Sequence, residues 1–336
     1  MRLAWEIVEL RLRDTFTTTH SASEVRRNVI VEIRDDAAGR TGLGEAAPYY
    51  GESPDGITAD LDKVRRLFRK PKSRPGEDWL SEVAGSVRAA LETAMFDLLA
   101  RDQGVPLAVL ASGDPARPVP TSFTLGRSDP DETARKAEAA RGWSVLKIKV
   151  GGPHDAENLA VVRRICPAAE LRLDANGAWT EDQAAEMIPR LAEARVAFVE
   201  QPLPPGDPAA YRRLRRKVKT PIYVDESVRT PDDVRGHAGA ADGIVVKLAK
   251  CGGIGPVLDC VQAARAAGMK VMIGCMVESS VGITAAAHLA SHCDSADLDG
   301  HLLLADDPFV GVTLSDGRLH LPPGPGLGVR RRPAGR

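Results

Sequence analysis

Three carboxylates close three successive β-type runs: Asp174 ends Leu-Arg-Leu-Asp, Glu200 ends Ala-Phe-Val-Glu and Asp225 ends Ile-Tyr-Val-Asp. The intervals are 26 and 25 residues, one strand–helix unit each. A single carboxylate after a strand is ordinarily a helix N-cap. Three in register would converge and repel one another unless a cation lies between them. All-oxygen ligation with room for water suits Mg²⁺ or Mn²⁺ better than zinc. Lysines flank the carboxylates. Lys147 and Lys149, in Leu-Lys-Ile-Lys-Val, are two apart on a strand and share a face. In a barrel strand that face is the interior, where lysine is rare. Adjacent ammonium groups disfavour each other's protonation, which moves a lysine toward the range of a general base. Lys247 follows one strand after the carboxylates, with Lys250 close behind in Val-Lys-Leu-Ala-Lys-Cys-Gly-Gly. Lysines on the second and sixth strands of a barrel would face each other across its mouth. A substrate between them could lose a proton from one face and regain it on the other. A hydrogen α to a carboxylate or amide is so weakly acidic that a cation on the carbonyl oxygen is needed to stabilise the developing charge.

The surrounding pattern supplies the elements that would hold these groups. Leu3–Leu12, Val25–Ile33 and Thr41–Ala47 read as strands, the last closed by Pro48, and Pro54–Phe68 and Leu80–Arg101 read as helices. After Pro115–Pro120 the texture changes to short β-branched runs alternating with Ala/Arg/Glu-rich helices. The runs are Pro120–Thr124, Val145–Val150, Leu171–Asp174, Ala197–Glu200, Ile222–Asp225, Gly243–Lys247, Lys270–Gly274 and Ala296–Asp299. Such repetition implies parallel βαβ units, and this many in sequence suggest a closed (β/α)₈-type barrel. An open doubly wound sheet is the alternative that pattern alone leaves standing.

Bulk properties agree with an ordinary globular α/β enzyme. The chain has 336 residues, with 45 basic against 46 acidic side chains, so nothing predicts a nucleic-acid partner. No apolar run approaches the roughly 20 residues that span a bilayer. The N-terminal stretch lacks a signal-peptide core, so a cytoplasmic, non-membrane protein is expected. Five scattered cysteines without a CxxC pair argue against both a disulfide framework and a thiolate zinc site. His288 and His292 have metal-ligand spacing, but on an Ala-rich face that reads as packing. Cys251-Gly-Gly-Ile-Gly resembles a phosphate-binding turn but lacks the full dinucleotide fingerprint.

Taken in order, Leu-Lys-Ile-Lys, Asp174-Ala-Asn-Gly, Glu200-Gln-Pro, Asp225-Glu-Ser and Lys247-xx-Lys-x-Gly-Gly resemble the muconate-lactonizing subgroup of the enolase superfamily. The resemblance implies a modified (β/α)₈-type TIM barrel over residues 116–304 and an N-terminal α+β capping domain over 1–115. A C-terminal segment, 305–336, is expected to return to the cap. It implies Asp174, Glu200 and Asp225 as ligands of one Mg²⁺ per subunit, with Mn²⁺ as a substitute. Lys149 and Lys247 become the acid/base pair, Lys147 the neighbour that tunes Lys149, and Asn176 and Glu226 the groups that orient the ligands. Within the subgroup, Asp297-Leu-Asp299-Gly300, following Gly274-Cys-Met-Val-Glu278, resembles the Asp-x-Asp with which dipeptide epimerases hold a free α-ammonium group. Dipeptide epimerisation is therefore the expected reaction. N-acylamino acid racemisation, muconate-type cycloisomerisation and o-succinylbenzoate synthesis are rivals on the same scaffold, and a catalytically idle binding barrel is a rival of another class. Loop Thr17–Ser23, with Thr19 and His20, and the Tyr49–Ser53 turn are the expected specificity elements. Arg26 and Arg27 follow the first of these and enter the next strand. Glu278 is a further candidate substrate contact. The side chains accepted and the oligomeric state are left open.

Overall fold

Long amphipathic strands and a period-2 pattern dictate the first layer. The computed structural model describes residues 1–17, 22–68 and 83–333. Strands β1 (Arg2–Thr17), β2 (Ala22–Asp35) and β3 (Arg40–Ala46) form an antiparallel sheet in the order β1-β2-β3. One face of the sheet carries Val29, Val31, Ile33 and Ala46, packed against Ile57, Leu61 and Val64 of helix Pro54–Phe68 and Val87, Ala90, Leu91 and Ala94 of helix Gly85–Gln103. Gly42 and Gly44 let that second helix approach: a Cβ at Gly44 would stand 1.9 Å from the Ala90 carbonyl oxygen.

The first expected barrel run divides in two. Strand β4 (Val119–Pro120) leaves the barrel to pair with the C-terminal segment, and β5 (Phe123–Leu125) opens the barrel. Pro120 has no N–H to give a central ladder, which places it on an edge. The parallel strands continue as β6 (Val145–Lys149), β7 (Glu170–Asp174), β8 (Val196–Glu200), β9 (Ile222–Val224), β10 (Gly243–Val246), β11 (Lys270–Gly274) and β12 (Ser295–Asp297). They form one eight-stranded sheet in sequence order from β5 to β12. A parallel bridge from Thr121 to Ala296 brings its two ends together, so the sheet is a nearly closed barrel rather than an open one. Helices between the strands wrap it, and their apolar faces join one large core. Asp225, Lys247 and Asp299 lie just beyond their strands rather than within them, where the chain turns over the C-terminal rim.

The last residues tie the units together. Strands β13 (Phe309–Val310) and β16 (Arg330–Arg331) pair, and β14 (Thr313–Ser315) and β15 (Arg318–His320) form a hairpin on β4. Leu327 N–H donates to the buried Asp97 of helix Gly85–Gln103 at 2.7 Å, and Leu107 N–H to Gly326 O at 2.8 Å. The two histidines of metal-like spacing serve the same region. His288 accepts the Ala108 N–H and meets Leu327 O, while His292 meets Ala111 O. Among the described residues no helix is long and apolar enough to cross a membrane.

Candidate active site

Successive parallel strands end at one rim, so side chains at their C-terminal ends converge on one mouth. Lys147 is the hub of that convergence. Its buried ammonium donates to Glu200 Oε1 at 3.0 Å and Asp297 Oδ2 at 2.7 Å, and lies 3.0 Å from Asp174 Oδ2. Burial opposes its charge, but Asp174, Asp297 and Glu200 outweigh burial and hold the lysine well above its ordinary range. Lys149 donates to the same Asp174 oxygen at 2.7 Å and to Asn176 Oδ1 at 3.0 Å. The two lysines thus share a carboxylate instead of facing each other bare. Lys247 donates to Asp225 Oδ2 at 2.7 Å, and Lys250 holds the other oxygen, Asp225 Oδ1, at 2.6 Å. Lys250 also donates to Val245 O at 2.7 Å, a strut that fixes the turn following β10.

The residues after each strand end set the carboxylates' angles. Asn176 adopts a left-handed φ of 45°, a conformation asparagine tolerates better than most residues, and its N–H donates to Asp174 Oδ1 at 2.9 Å. Gln201 is also left-handed at 40°, and its Oε1 accepts the Asp225 N–H at 2.8 Å. Such backbone strain is characteristic of sites that hold side chains in fixed positions. Asn176 Nδ2 donates to Glu226 Oε1 at 3.0 Å.

These groups open onto a cavity of about 540 Å³, roofed by the first sheet and its loops. Lys147, Lys149, Asn176, Lys247, Asp297 and Asp299 all line it. Arg26 and Arg27 of β2, together with Tyr49 and Tyr50, line the opposite wall. Asp297 Oδ1 accepts the Ser122 hydroxyl at 2.6 Å, and Asp299 Oδ2 accepts the Thr124 N–H at 2.6 Å. Burial, then the neighbouring Asp297 charge, pushes Asp299 up to about 7. Glu278 is not among the cavity-lining residues: its Oε2 turns back to the Met276 N–H at 3.0 Å. Burial, then Glu45, pushes Glu278 up to about 8. Thr19 and His20 lie outside the described residues.

Several participants carry no sequence signal. Ser122 and Thr124 are ordinary polar residues at the start of the first barrel strand, whereas Tyr50 belongs to the expected Tyr49–Ser53 turn, which reaches the cavity because the first sheet docks over the mouth. Glu45 is the docking point: its buried carboxylate accepts Asn28 Nδ2 at 2.7 Å, the Ser279 N–H at 3.0 Å and hydroxyl at 2.6 Å, and the Gly282 N–H at 2.9 Å. Glycines at 252 and 253 make a second socket. They are left-handed at 93° and 133°, and Glu92 fills the space where a Gly253 Cβ would stand, accepting the Gly255 N–H at 3.1 Å. The phosphate-like turn is therefore occupied by a carboxylate from the cap helix.

The donor set fits a hard divalent cation in its chemistry. Asp174, Glu200 and Asp225 offer only oxygens, and Glu200 Oε2 is buried without a hydrogen bond, although Lys147 Nζ lies 2.9 Å away outside bonding geometry. Among the described residues no three acidic, imidazole or thiol groups close tightly enough to enclose an ion. Lysine ammonium groups lie between the carboxylates and balance their charge.

The family described as enolase C-terminal domain-like matches residues 131–334. An L-Ala-D/L-amino acid epimerase of Pedosphaera parvula is 38% identical over 338 residues, covering 96% of this chain and 97% of that one. The substrate-liganded L-Ala-D/L-Glu epimerase of Bacillus subtilis has a TM-score of 0.90 at 33% identity, with 98% of each chain covered. A dipeptide epimerase of Enterococcus faecalis, complexed with Mg and L-Leu-L-Tyr, has a TM-score of 0.89 at 34% identity, again covering 98% of each chain. On this evidence the chain belongs to the enolase superfamily, in its muconate-lactonizing subgroup, as an isomerase most like the dipeptide epimerases.

Proposed function

We propose that the protein is a dipeptide epimerase that inverts the α-carbon of the C-terminal residue by proton transfer between two lysines. One observation carries the reading: Lys149 and Lys247 open onto the same cavity as Asp297 and Asp299. Lys149 ends the second barrel strand and Lys247 follows the sixth, so in an eight-stranded ring they stand on opposite sides. Lys149 Nζ would remove the α-proton from one face, and Lys247 Nζ would return one to the other. Asp297 and Asp299 would bind the substrate's free α-ammonium group by charge-assisted hydrogen bonds. An N-acylated amino acid or an all-anionic substrate has no use for that acidic pair.

Asp174, Glu200 and Asp225 would hold Mg²⁺, the ion named with the Enterococcus faecalis enzyme. Bound there, the ion supplies positive charge to the oxygen that becomes anionic as the α-proton leaves. Lys147 and Lys250 hold the carboxylates in place, and the cap of residues 1–115, with the segment 305–336, shields the barrel of 116–304 from water.

The test is α-proton exchange in D₂O with Mg²⁺, screening L,L-dipeptides against N-acylated amino acids by mass. Deuterium at the C-terminal residue's α-position, with the D-epimer appearing, is the expected result. Exchange confined to N-acylated substrates would move the assignment to racemase, and no exchange would remove the proton-transfer reading.

A further inference from the structure

A chain of hydrogen bonds runs from the capping sheet's loop to one of the two lysines. The Tyr50 hydroxyl donates to Glu226 Oε1 at 3.3 Å. The same oxygen accepts Asn176 Nδ2 at 3.0 Å, and Asn176 Oδ1 accepts the Lys149 ammonium at 3.0 Å. Each link constrains the next. Because the Lys149 ammonium can only donate, the Asn176 amide must present oxygen to it, which turns the nitrogen toward Glu226. The left-handed backbone of Asn176, with its N–H on Asp174 Oδ1, fixes where that amide starts from. Lys149 is thereby held between Asp174 and Asn176, at the cavity wall. Lys247 is anchored separately, on Asp225 at 2.7 Å.

We infer that Tyr50 is a positioning residue for Lys149 alone: through Glu226 and Asn176, the placement of the cap loop sets the orientation of one of the two lysines. The inference rests on the two-lysine reading above. Tyr50 is edge-on to Tyr49, with ring centroids 4.9 Å apart at 71°, so the ring itself is braced within the loop. Tyr50→Phe preserves that ring and its cavity wall and removes only the donor. The substituted enzyme leaves Glu226 Oε1 with one donor fewer and the Asn176 amide less firmly oriented. A side chain that merely contacts substrate would affect both faces of the α-carbon alike. A side chain that orients Lys149 affects one.

The experiment separates the faces. Lys247→Ala leaves only proton exchange on the Lys149 face, and Lys149→Ala leaves only exchange on the Lys247 face, each read as deuterium uptake by one dipeptide epimer. Adding Tyr50→Phe should slow exchange roughly tenfold in the Lys247→Ala protein, the loss expected for a hydrogen bond to a charged group. It should slow exchange far less in the Lys149→Ala protein. In the two-lysine enzyme the same substitution should lower kcat and leave KM alone. Equal slowing on both faces, or a raised KM with unchanged kcat, would overturn the positioning role while the epimerase reading stands. Absence of exchange in the unsubstituted enzyme would overturn the epimerase reading itself.

Discussion

Acid sensitivity should trace to His288. The ring projects from helix Ser280–Leu289 and is buried against the short helix Leu107–Leu110 and the C-terminal segment. Its Nδ1 accepts the Ala108 N–H at 3.1 Å, so the neutral tautomer carries its proton on Nε2, facing Leu327 O at 3.2 Å. Burial lowers its pKa from 6.5 to about 4. The unfolded chain, with the ordinary value, therefore binds a proton first as the pH falls. Stability is whole above pH 6.5 and is lost as the pH falls from there toward about 4. The slope is about 1.4 kcal/mol per pH unit, for a total of about 3 kcal/mol. That is a large part of the roughly 5–15 kcal/mol by which domains are stable. The assay is urea unfolding across this range, comparing the protein with His288→Gln, which keeps an acceptor and a donor but does not titrate. His301, also pushed down to about 4 by burial, is present in both proteins and cancels in the difference. Equal slopes of stability against pH in the two proteins would refute the argument.

Two further outcomes follow from the site. Glu45→Ala strands the buried Ser279 and Gly282 N–H groups and removes one acceptor from Asn28, at a cost of about 2–6 kcal/mol in unfolding free energy, read as a lowered urea midpoint. Because Asn28 also holds Val277 O at 2.9 Å, and Val277 lines the cavity, surviving activity should show a raised KM; an unaltered midpoint would remove the docking role. Asp299→Asn keeps the shape beside Thr124 and removes the charge that Asp299 carries above about pH 7, so kcat/KM for dipeptides measured above that pH should fall by roughly 10- to 100-fold, the value of one charged hydrogen bond. An undiminished kcat/KM would show that the ammonium group binds elsewhere.

Local periodicity determined the scaffold. Alternating β-branched runs and helical stretches are set by period 2 and period 3.6, which neighbouring residues alone express, so every barrel strand after the first is legible to within a residue or two. The positions of Asp174, Glu200 and Lys149 at strand ends followed, because parallel strands all present their C-terminal ends to one rim, and Lys147, two residues before Lys149, shares its face. Only the tertiary structure decided the rest. Asp297 meets Lys147 across 150 residues and Tyr50 meets Glu226 across 176, contacts that depend on how sheets close and dock. The run containing Pro120 reads as a barrel strand, but the missing N–H of the proline sends it to the edge beside the C-terminal hairpin. Glu278 lies in the expected loop, but its Oε2 accepts the Met276 N–H and it does not line the cavity, an orientation that no sequence pattern specifies.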